Sequence, residues 1–447
     1  MFDAIIKSGN VVIGSELKPA FVAIKNGIIA GVWPALPADV HQEVVDLGDI
    51  YLMPGVVDPH VHINEPGRTH WEGFDTATRS AIAGGVTTLV DMPLNANPVT
   101  TTVFALQQKI AAAKKNLHTN CGFWGGIVPG NENEIEGLIE NGVLGFKAFL
   151  THSGIDEFPN VMEADLKKAM PVIAKYNLPL LVHCELSDDN HSEGQGNPAS
   201  YQHYLSSRPR AWEDNAVNLM IRLCEEYRCR VHIVHLSSSN SIEPIKKAKQ
   251  KGLPLTVETG QHYLYFDAED IPNGQTQFKC APPIREKENN DLLWDALQEG
   301  IIDFVATDHS PAPPDMKETD SGNFMKAWGG IASLQFALPV LWTAAKKRNI
   351  AFPQIVKWLC EKPALLMGND FKKGKIEKGY DADLVVFDPG RNFEVTNDII
   401  QHRHKITAYA GETLSGVVEQ TWLDGRAVFV NGRFLKLNAG KLLLRKE

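Results

Sequence analysis

Hydrophobic and polar residues alternate over short stretches at both ends of the chain. In the first fifty residues, the apolar runs VVIG, FVAI and GIIAGVW are separated by the turn-rich segments KSGN, KNG and DLGD, without helical periodicity. The last seventy residues show the same pattern in DADLVVFDP and GVVEQTWLDGRAVFVNGRF. We therefore predict that residues 1–54 and 374–447 build one small β-sandwich that is split between the two termini.

The middle of the chain, residues 55–373, has a different pattern, because short apolar runs alternate with amphipathic stretches of helical length. The runs are VVDPHVH, VTTLVDMP, CGFWGGIV, GFKAFL, PLLVHCE, VHIVHLS, LTVETGQHYL and FVATDHSP. Such alternation is typical of βα units with a parallel sheet. Eight units over about 250 residues predict an α/β fold with a (β/α)8 barrel of the TIM type. An open doubly wound sheet is the alternative, although no G-x-G-x-x-G turn follows the first strand.

Two of the predicted loops that leave the barrel strands are long and polar. SDDNHSEGQGNPASY follows the fifth strand, and PAPPDMKETDSGNF follows the eighth. Because barrel chemistry takes place at the carboxyl ends of the strands, both loops are candidate lids, although each also fits an ordinary surface loop.

Composition and charge narrow the class of protein. The 447 residues carry a net charge of −10, which argues against nucleic acid or an anionic membrane as the main partner. Six cysteines are scattered without a C-x-x-C pair, as in a reduced intracellular protein. The amino terminus lacks the pattern of a secretion signal, and no apolar run is long enough to span a bilayer. We therefore expect a cytoplasmic protein.

Candidate metal ligands lie at the ends of the predicted barrel strands. His60 and His62 close the first strand, and because alternate residues of a strand face the same side, both imidazoles can bind one ion. His183 and His235 close the fifth and sixth strands, where a histidine on its own is more often structural. Asp308 closes the eighth strand after an apolar run, where a carboxylate is costly unless it is paired or binds a cation.

Lys147 is the sixth candidate ligand and the least obvious one. It is the only polar residue in the apolar strand GFKAFL, so burial should lower the pKa of its ammonium group. A neutral lysine amine can take up carbon dioxide and become a carbamate (N6-carboxylysine), which can bridge two cations. If Lys147 is considered alone, the better interpretation is a lysine that reaches solvent or pairs with a buried acid. Beside four histidines and an aspartate at the same end of the barrel, we expect carbamylation.

These six residues predict a two-metal hydrolytic centre. Imidazole and carboxylate ligands suit zinc and would also accept iron, cobalt or manganese. Two ions bridged by a carbamate would share a water molecule, lower its pKa and polarise a carbonyl group for its attack. Asp308 could take the proton of that water and pass it to the leaving nitrogen, as general base and then general acid. The predicted reaction is hydrolysis of an amide-like C–N bond in a small molecule.

Longer stretches of the sequence resemble the allantoinases of the amidohydrolase superfamily. The resemblance rests on VVDPHVHINEPGRTHWEGFDTATRSAIAGGVTTLVDMPLN, GFWGGIVPGN, GFKAFLTHSGIDEFP, KCAPPIR, ATDHSP and AWGGIASLQ, and it covers nearly the whole chain. It implies metal ligands at the same six positions and hydrolysis of the hydantoin ring of allantoin to allantoate, a step of purine degradation. It also implies a homo-oligomer, because relatives are commonly tetramers.

Residues outside the ligand set bear on the substrate. Dihydroorotases place an arginine two residues after their H-x-H for the substrate carboxylate, whereas this chain has Asn64, which suits the neutral allantoin. Hydantoinases and dihydropyrimidinases usually supply a tyrosine from the loop after the fourth strand, and THSGIDEFP contains none. The resemblance further implies that Asn95 and Ser310 contact the substrate. Activity on one of these related cyclic amides is the alternative, and a non-enzymatic scaffold related to amidohydrolases is a more distant one.

We interpret the remaining histidines near the predicted mouth as structural or not essential to the chemistry. His232 lies three residues before His235, and His309 directly follows Asp308, so both should face away from the site. The others are His70, His152, His191 and His262.

Overall fold

The chain begins and ends with β-strands, and strands alternate with helices between them. The computed structural model describes residues 1–187 and 196–445, so His191 and the central part of the candidate lid after the fifth barrel strand lie outside the described residues. The strands are β1 (Ala4–Ile13), β2 (Glu16–Lys25), β3 (Ile28–Trp33), β4 (Val45–Asp46), β5 (Tyr51–Pro54), β6 (Val56–Val61), β7 (Val86–Asp91), β8 (Asn120–Phe123), β9 (Gly125–Gly126), β10 (Phe146–Phe149), β11 (Pro179–His183), β12 (Arg230–Ile233), β13 (Leu255–Gly260), β14 (Phe304–Ala306), β15 (Leu384–Glu394), β16 (Thr413–Leu423), β17 (Arg426–Val430) and β18 (Arg433–Phe434).

The helices lie between the barrel strands or after the last of them. They are α1 (Phe74–Ala83), α2 (Val103–Ala113), α3 (Ile135–Glu140), α4 (Glu163–Lys175), α5 (Tyr201–Ser206), α6 (Arg210–Tyr227), α7 (Ile242–Gln250), α8 (Gln261–Tyr265), α9 (Lys287–Gln298), α10 (Ala337–Lys346), α11 (Phe352–Val356) and α12 (Lys362–Leu366). Helix α2 begins at Val103 because the Thr102 hydroxyl accepts a hydrogen bond from the Ala105 N–H at 3.2 Å. None of the described helices is long and apolar enough to cross a membrane.

Strands from both termini form one β-rich unit, as the alternating patterns predict. The hydrogen-bonded order is β18-β17-β16-β15-β5-β1-β2-β3, and β4 pairs with β1. The two ends of the chain meet where β5 and β15 run antiparallel, with Pro54 opposite Leu384. Ile6 and Val22 from the first end pack with Val386 from the second in a common apolar core. The boundaries at residues 54 and 374 stay a prediction.

The middle of the chain forms a closed parallel barrel, which confirms the predicted fold class over the open sheet. Strands β6 to β8 are hydrogen-bonded in one group, and β9 to β14 form another. The groups meet in the run CGFWGG, where β8 pairs with β7 and β9 pairs with β10. A parallel bridge between Val61 and His309 closes the ring, and the His62 N–H donates to the His309 carbonyl at 2.8 Å.

Two apolar cores lie on the two faces of the barrel strands. Val57, Trp124 and Phe304 belong to the inner core, which fills the barrel below the strand ends. Strand β10 shows how the two faces alternate: Phe146 and Ala148 pack in the outer core against the helices, whereas Phe149 packs in the inner one. The same alternation turns the side chain of Lys147 into the barrel.

Candidate metal centre

Five of the six predicted ligands lie at or just past the carboxyl ends of barrel strands, and Lys147 lies inside its strand. His60, Lys147 and His183 belong to β6, β10 and β11, and the other three follow β6, β12 and β14 within two residues. Each of the six is buried, with 8% or less of its surface exposed. The structure therefore brings together side chains that are up to 248 positions apart, from His60 to Asp308.

The ring nitrogens and the carboxylate converge on one small volume. One ligand atom each of His60, His235 and Asp308 lies within 4.8 Å of the others. Asp308 Oδ1 is 3.2 Å from His60 Nε2 and 3.4 Å from His62 Nε2. On the other side, His183 Nδ1 is 3.0 Å from His235 Nε2. This arrangement of imidazole and carboxylate donors is a suitable binding site for divalent metal ions.

Two buried glutamates orient two of these histidines. Glu258 on β13 contacts His60 Nδ1, so Nε2 of that ring faces the centre. Glu185 Oε2 lies 2.8 Å from His183 Nε2, so Nδ1 of that ring faces the centre instead. A carboxylate on the outer nitrogen fixes the tautomer of a histidine and raises its basicity as a ligand. Both glutamates are therefore part of the functional site, although the sequence analysis did not single them out.

His232 is more closely connected to the site than the sequence suggested. It does not line the cavity, but it does not face away from the site as predicted: its ring stacks on Phe304 of the inner core, its Nε2 lies 3.1 Å from Glu258 Oε2, and its Nδ1 lies 2.8 Å from the Thr256 hydroxyl. Glu258 thus holds His60 with one oxygen and His232 with the other. A signal for this glutamate was present in the sequence, because a single carboxylate inside the apolar run LTVETG raises the same question as Asp308.

Lys147 is fully buried and has no hydrogen-bond partner for Nζ among the described residues. Burial lowers the pKa of its ammonium to about 8, although Asp308 and Glu258 act in the opposite direction. Its Nζ lies 5.0 Å from the centre of the Phe149 ring, which stacks on His183. The amine therefore lies among the other five candidate ligands, and about a tenth of it is neutral at pH 7, far more than of a lysine with an ordinary pKa.

The protonation states of the other candidates also suit metal binding. Burial by itself would raise the pKa of Asp308, but His60, His62 and His235 hold that pKa well below its usual range, so the carboxylate is ionised. Burial lowers the pKa of His62 and His183 and takes that of His235 well below its usual value. Neutral imidazoles and an ionised carboxylate are the forms that bind metal ions.

Four residues around the site have left-handed backbone conformations. The φ angles are +66° at Asn64, +66° at Asn95, +38° at His235 and +46° at Asp308. Asparagine tolerates this region, whereas histidine and aspartate adopt it less readily. Such strain concentrates at functional sites, where the surrounding structure holds the residue in place. At Asn64 the turn directs the side-chain amide towards the Pro311 carbonyl, at 3.4 Å.

A cavity of about 250 Å³ opens above the ligands. Asn95 and Ser310, the predicted substrate contacts, both line it, and Asn95 Nδ2 lies 3.4 Å from His62 Nδ1. Asn64 is buried just behind and is not among the lining residues, so its part in substrate binding stays a prediction. The remaining wall includes Phe149, Gly154, Tyr204, Arg208, Lys279, Lys326 and Trp328.

The other histidines lie largely where the sequence analysis expected them. His309 faces away from the cavity, and its Nδ1 accepts hydrogen bonds from the N–H groups of Ser333 and Leu334 at 3.0 and 3.2 Å. His262 is completely buried and does not line the cavity. His152 lines the cavity at its exposed rim.

Comparisons with known proteins agree with this geometry. Residues 51–428 match the family model described as the amidohydrolase family. The chain is 46% identical to an allantoinase of Streptomyces avermitilis over 99% of both chains, and 44% identical to an allantoinase of Arabidopsis thaliana over 98% of this chain and 90% of that one. The solved structure of an L-hydantoinase (dihydropyrimidinase) from Arthrobacter aurescens has a TM-score of 0.93, with 30% identity and full coverage of both chains.

Proposed function

Because this chain belongs to the amidohydrolase family, and within it to the allantoinases, we propose that it hydrolyses the hydantoin ring of allantoin to give allantoate. The observation that carries the proposal is the convergence of four buried histidines and Asp308 in the wall of one cavity, with the buried Lys147 beside them, whose Nζ has no hydrogen-bond partner among the described residues. The matching family model and the allantoinase relatives support the same reaction.

The family implies a divalent metal centre, and the residues present fit one. If His183 donates its Nε2 proton to Glu185, its Nδ1 lone pair points at His235 Nε2, only 3.0 Å away. Two nitrogen lone pairs at that distance repel each other unless a proton or a cation lies between them. His60, His62 and Asp308 would hold one ion, and His183 and His235 would hold a second. Zinc is the metal that we propose for this imidazole-rich set, with iron, cobalt or manganese as alternatives.

Lys147 would complete the set as a carbamate shared by both ions. Its amine is buried among the other candidates and lacks a hydrogen-bond partner among the described residues. This burial lowers its pKa to about 8. A neutral amine reacts with carbon dioxide, whereas an ammonium does not. The resulting negative charge would be compensated by the cations, which explains how an otherwise apolar strand tolerates it.

When bound, the two ions supply an activated water molecule and a polarised ring carbonyl. The chain's own part in the reaction is to hold the ring and move one proton. Asp308 is ionised, so it can accept the proton of the attacking water and deliver it to the ring nitrogen as the C–N bond breaks. Asn95 and Ser310 line the cavity and can orient the ring by hydrogen bonds.

The arginine in the cavity wall, which also includes Lys279 and Lys326, is already engaged by a carboxylate. Arg208 lines the cavity, but Glu185 occupies its guanidinium, with Nε to Oε1 at 3.1 Å and a second contact to Oε2. That arginine is therefore already paired and is not a free partner for a substrate carboxylate. This supports allantoin over dihydroorotate, in the same direction as Asn64 at the position where dihydroorotases have an arginine.

The direct test is a comparison of four substrates with protein loaded with zinc in the presence of bicarbonate. We expect kcat/KM to be highest for allantoin, ahead of hydantoin, dihydrouracil and dihydroorotate. An Asp308→Asn variant provides the background rate. Faster turnover of dihydroorotate would contradict the substrate assignment, and a protein that binds no divalent metal and turns over nothing would favour a scaffold.

A homotetramer and a cytoplasmic location are further proposals. They rest on the resemblance to allantoinases and on the sequence composition. Light scattering on the purified protein tests the first, and fractionation of cells that express it tests the second.

A further inference from the structure

Trp328 occupies a central place in the wall of the cavity. It comes from the segment after β14, lines the cavity, and packs its indole against Gly154 from the loop after β10. A Cβ atom at Gly154 would lie only 3.2 Å from two carbons of the indole, so the two loops are in close contact. Trp71, from the loop after β6, meets the same indole edge-on, with ring centres 5.0 Å apart. Three strand-end loops therefore meet at one side chain.

The backbone that carries Trp328 is held firmly. Its N–H donates to the Met316 carbonyl at 2.7 Å. Lys317, which is 3% exposed, donates from Nζ to the carbonyls of Trp328 at 3.0 Å and Gly330 at 2.7 Å. A third carbonyl, that of Lys279, accepts at 3.1 Å. These hydrogen bonds from Lys317 anchor the backbone at Trp328 and Gly330, so the segment that carries the indole is well supported.

The aromatic side chain at this part of the cavity comes from a different loop than in hydantoinases, where the loop after the fourth barrel strand usually supplies a tyrosine. The loop after β10, THSGIDEFP, carries no tyrosine; its His152 lies at the exposed rim of the cavity, its Phe158 is buried in the inner core, and Gly154 stands near its centre. The indole of Trp328, from the segment after β14, lies against that glycine. An aromatic surface is thus present at the cavity, but a different loop supplies it.

Building on the proposed function, we infer that Trp328 determines which group the substrate can carry on its ring. A flat, polar group such as the ureido group of allantoin fits beside the indole face in a cavity of about 250 Å³. A bulky aryl group would need the volume that the indole occupies. Trp328 would therefore select small planar substituents by stacking and exclude large ones by contact.

The test uses Trp328→Ala and Trp328→Phe in the zinc-loaded enzyme, with Trp33→Phe on the outermost strand of the terminal sheet as a matched control. Substrates are allantoin, unsubstituted hydantoin, and hydantoin with a benzyl group at the carbon where allantoin carries its ureido group. For Trp328→Ala we expect KM for allantoin to rise about tenfold with little change in kcat, and kcat/KM for the benzyl compound to rise about tenfold. For Trp328→Phe we expect KM for allantoin to stay close to the wild-type value.

Several results would overturn the inference. One is an unchanged ratio of kcat/KM for the benzyl compound and allantoin in Trp328→Ala, at normal metal content and circular dichroism. Another is an equal loss on all three substrates, which would make Trp328 merely structural. If the wild type fails on allantoin but opens another hydantoin, the proposed function is wrong, and the preference for small substituents is still measured on that compound. If nothing is turned over, calorimetric affinities for the three compounds test the same ranking.

Discussion

Two lysines are completely buried near the same end of the barrel, yet their surroundings differ entirely. Lys109 on α2 reaches the end of β7, where its Nζ lies 2.6 Å from Asp91 Oδ2 and 2.8 Å from the Met92 carbonyl. Lys147 on β10 is buried as deeply but has no hydrogen-bond partner among the described residues. A buried ammonium without partners is expensive, whereas one paired with a carboxylate is tolerated.

Other buried lysines resemble Lys109 rather than Lys147, because their ammonium groups have hydrogen-bond or ion-pair partners. Lys373 lies 2.6 Å from Asp383 and 3.0 Å from Asp381, and Lys317 donates to three carbonyls. The fold therefore supplies partners wherever a buried lysine has a structural task. At Lys147 no such partner is present among the described residues, which agrees with our proposal that carbon dioxide and metal ions complete this side chain.

The largest expected effect follows from removing Lys147. In Lys147→Ala we expect kcat/KM for allantoin to fall by about three orders of magnitude or more, which corresponds to about 4 kcal/mol of transition-state stabilisation. Metal content should fall with it, because a shared ligand is lost. Short carboxylic acids such as propionate should restore part of the activity.

The fold of Lys147→Ala should survive, since the alanine leaves no charge unpaired. Its thermal unfolding, measured without metal, should remain near that of the metal-free wild type. A fully active Lys147→Ala enzyme would contradict the assignment.

The matched change at the other lysine should act on stability instead. Lys109→Met leaves Asp91 buried without its counter-charge, and we expect the free energy of unfolding to fall by about 3–5 kcal/mol. Denaturant titration measures this loss. The double variant Lys109→Met/Asp91→Asn should recover much of it, because the unpaired charge is gone. Loss of metal without loss of stability in Lys109→Met would mean that the two lysines do not differ as described.

A smaller effect is expected at the glutamate behind the ligands. Glu258→Gln keeps the shape of the side chain but removes the charge that His60 and His232 share. We expect metal affinity or activity to fall about 10- to 100-fold, the usual effect of losing the partner of a metal-binding histidine. Metal titration followed by activity assay checks this. The exposed Glu299→Gln on the outside of the barrel is a control that should leave both quantities unchanged.

The smallest expected effect is a dependence of the reactivation rate on pH. Burial lowers the pKa of Lys147 in the metal-free protein to about 8, and only the neutral amine takes up carbon dioxide. At a fixed concentration of dissolved carbon dioxide, reactivation of metal-free enzyme should therefore speed up about tenfold per pH unit below pH 8 and level off above it. A rate that keeps rising towards pH 10 would indicate a lysine with an ordinary pKa.

Much of this site could be predicted because its parts coincide with strand ends. Apolar runs locate barrel strands, and polar residues that follow them, such as His235 and Asp308, share the carboxyl face. Lys147 was recognisable because a single ammonium in an apolar strand conflicts with its surroundings. Glu185 was overlooked since its importance depends on which ring nitrogen it reaches, a fact of three-dimensional geometry. Glu258 did offer a signal, a single carboxylate in an apolar run, but its partner His60 is known only from the structure.

The mouth of the cavity was much less predictable. Contacts between loops, such as that of Trp328 with Gly154 and Trp71, follow from how the closed barrel places distant strand ends. Asn64 shows a second difficulty. Its place two residues after His62 suggested a side chain in the cavity, but its left-handed backbone turns the amide towards Pro311.

The most direct test of the central claim is ¹³C NMR of protein reconstituted with zinc in ¹³C-labelled bicarbonate. The account predicts a carbamate carbon signal in the wild type and in Lys109→Met, with two metal ions bound per chain, and no signal in Lys147→Ala. A wild-type enzyme that is fully active and metal-loaded without this signal would contradict it, as would a signal that persists in Lys147→Ala.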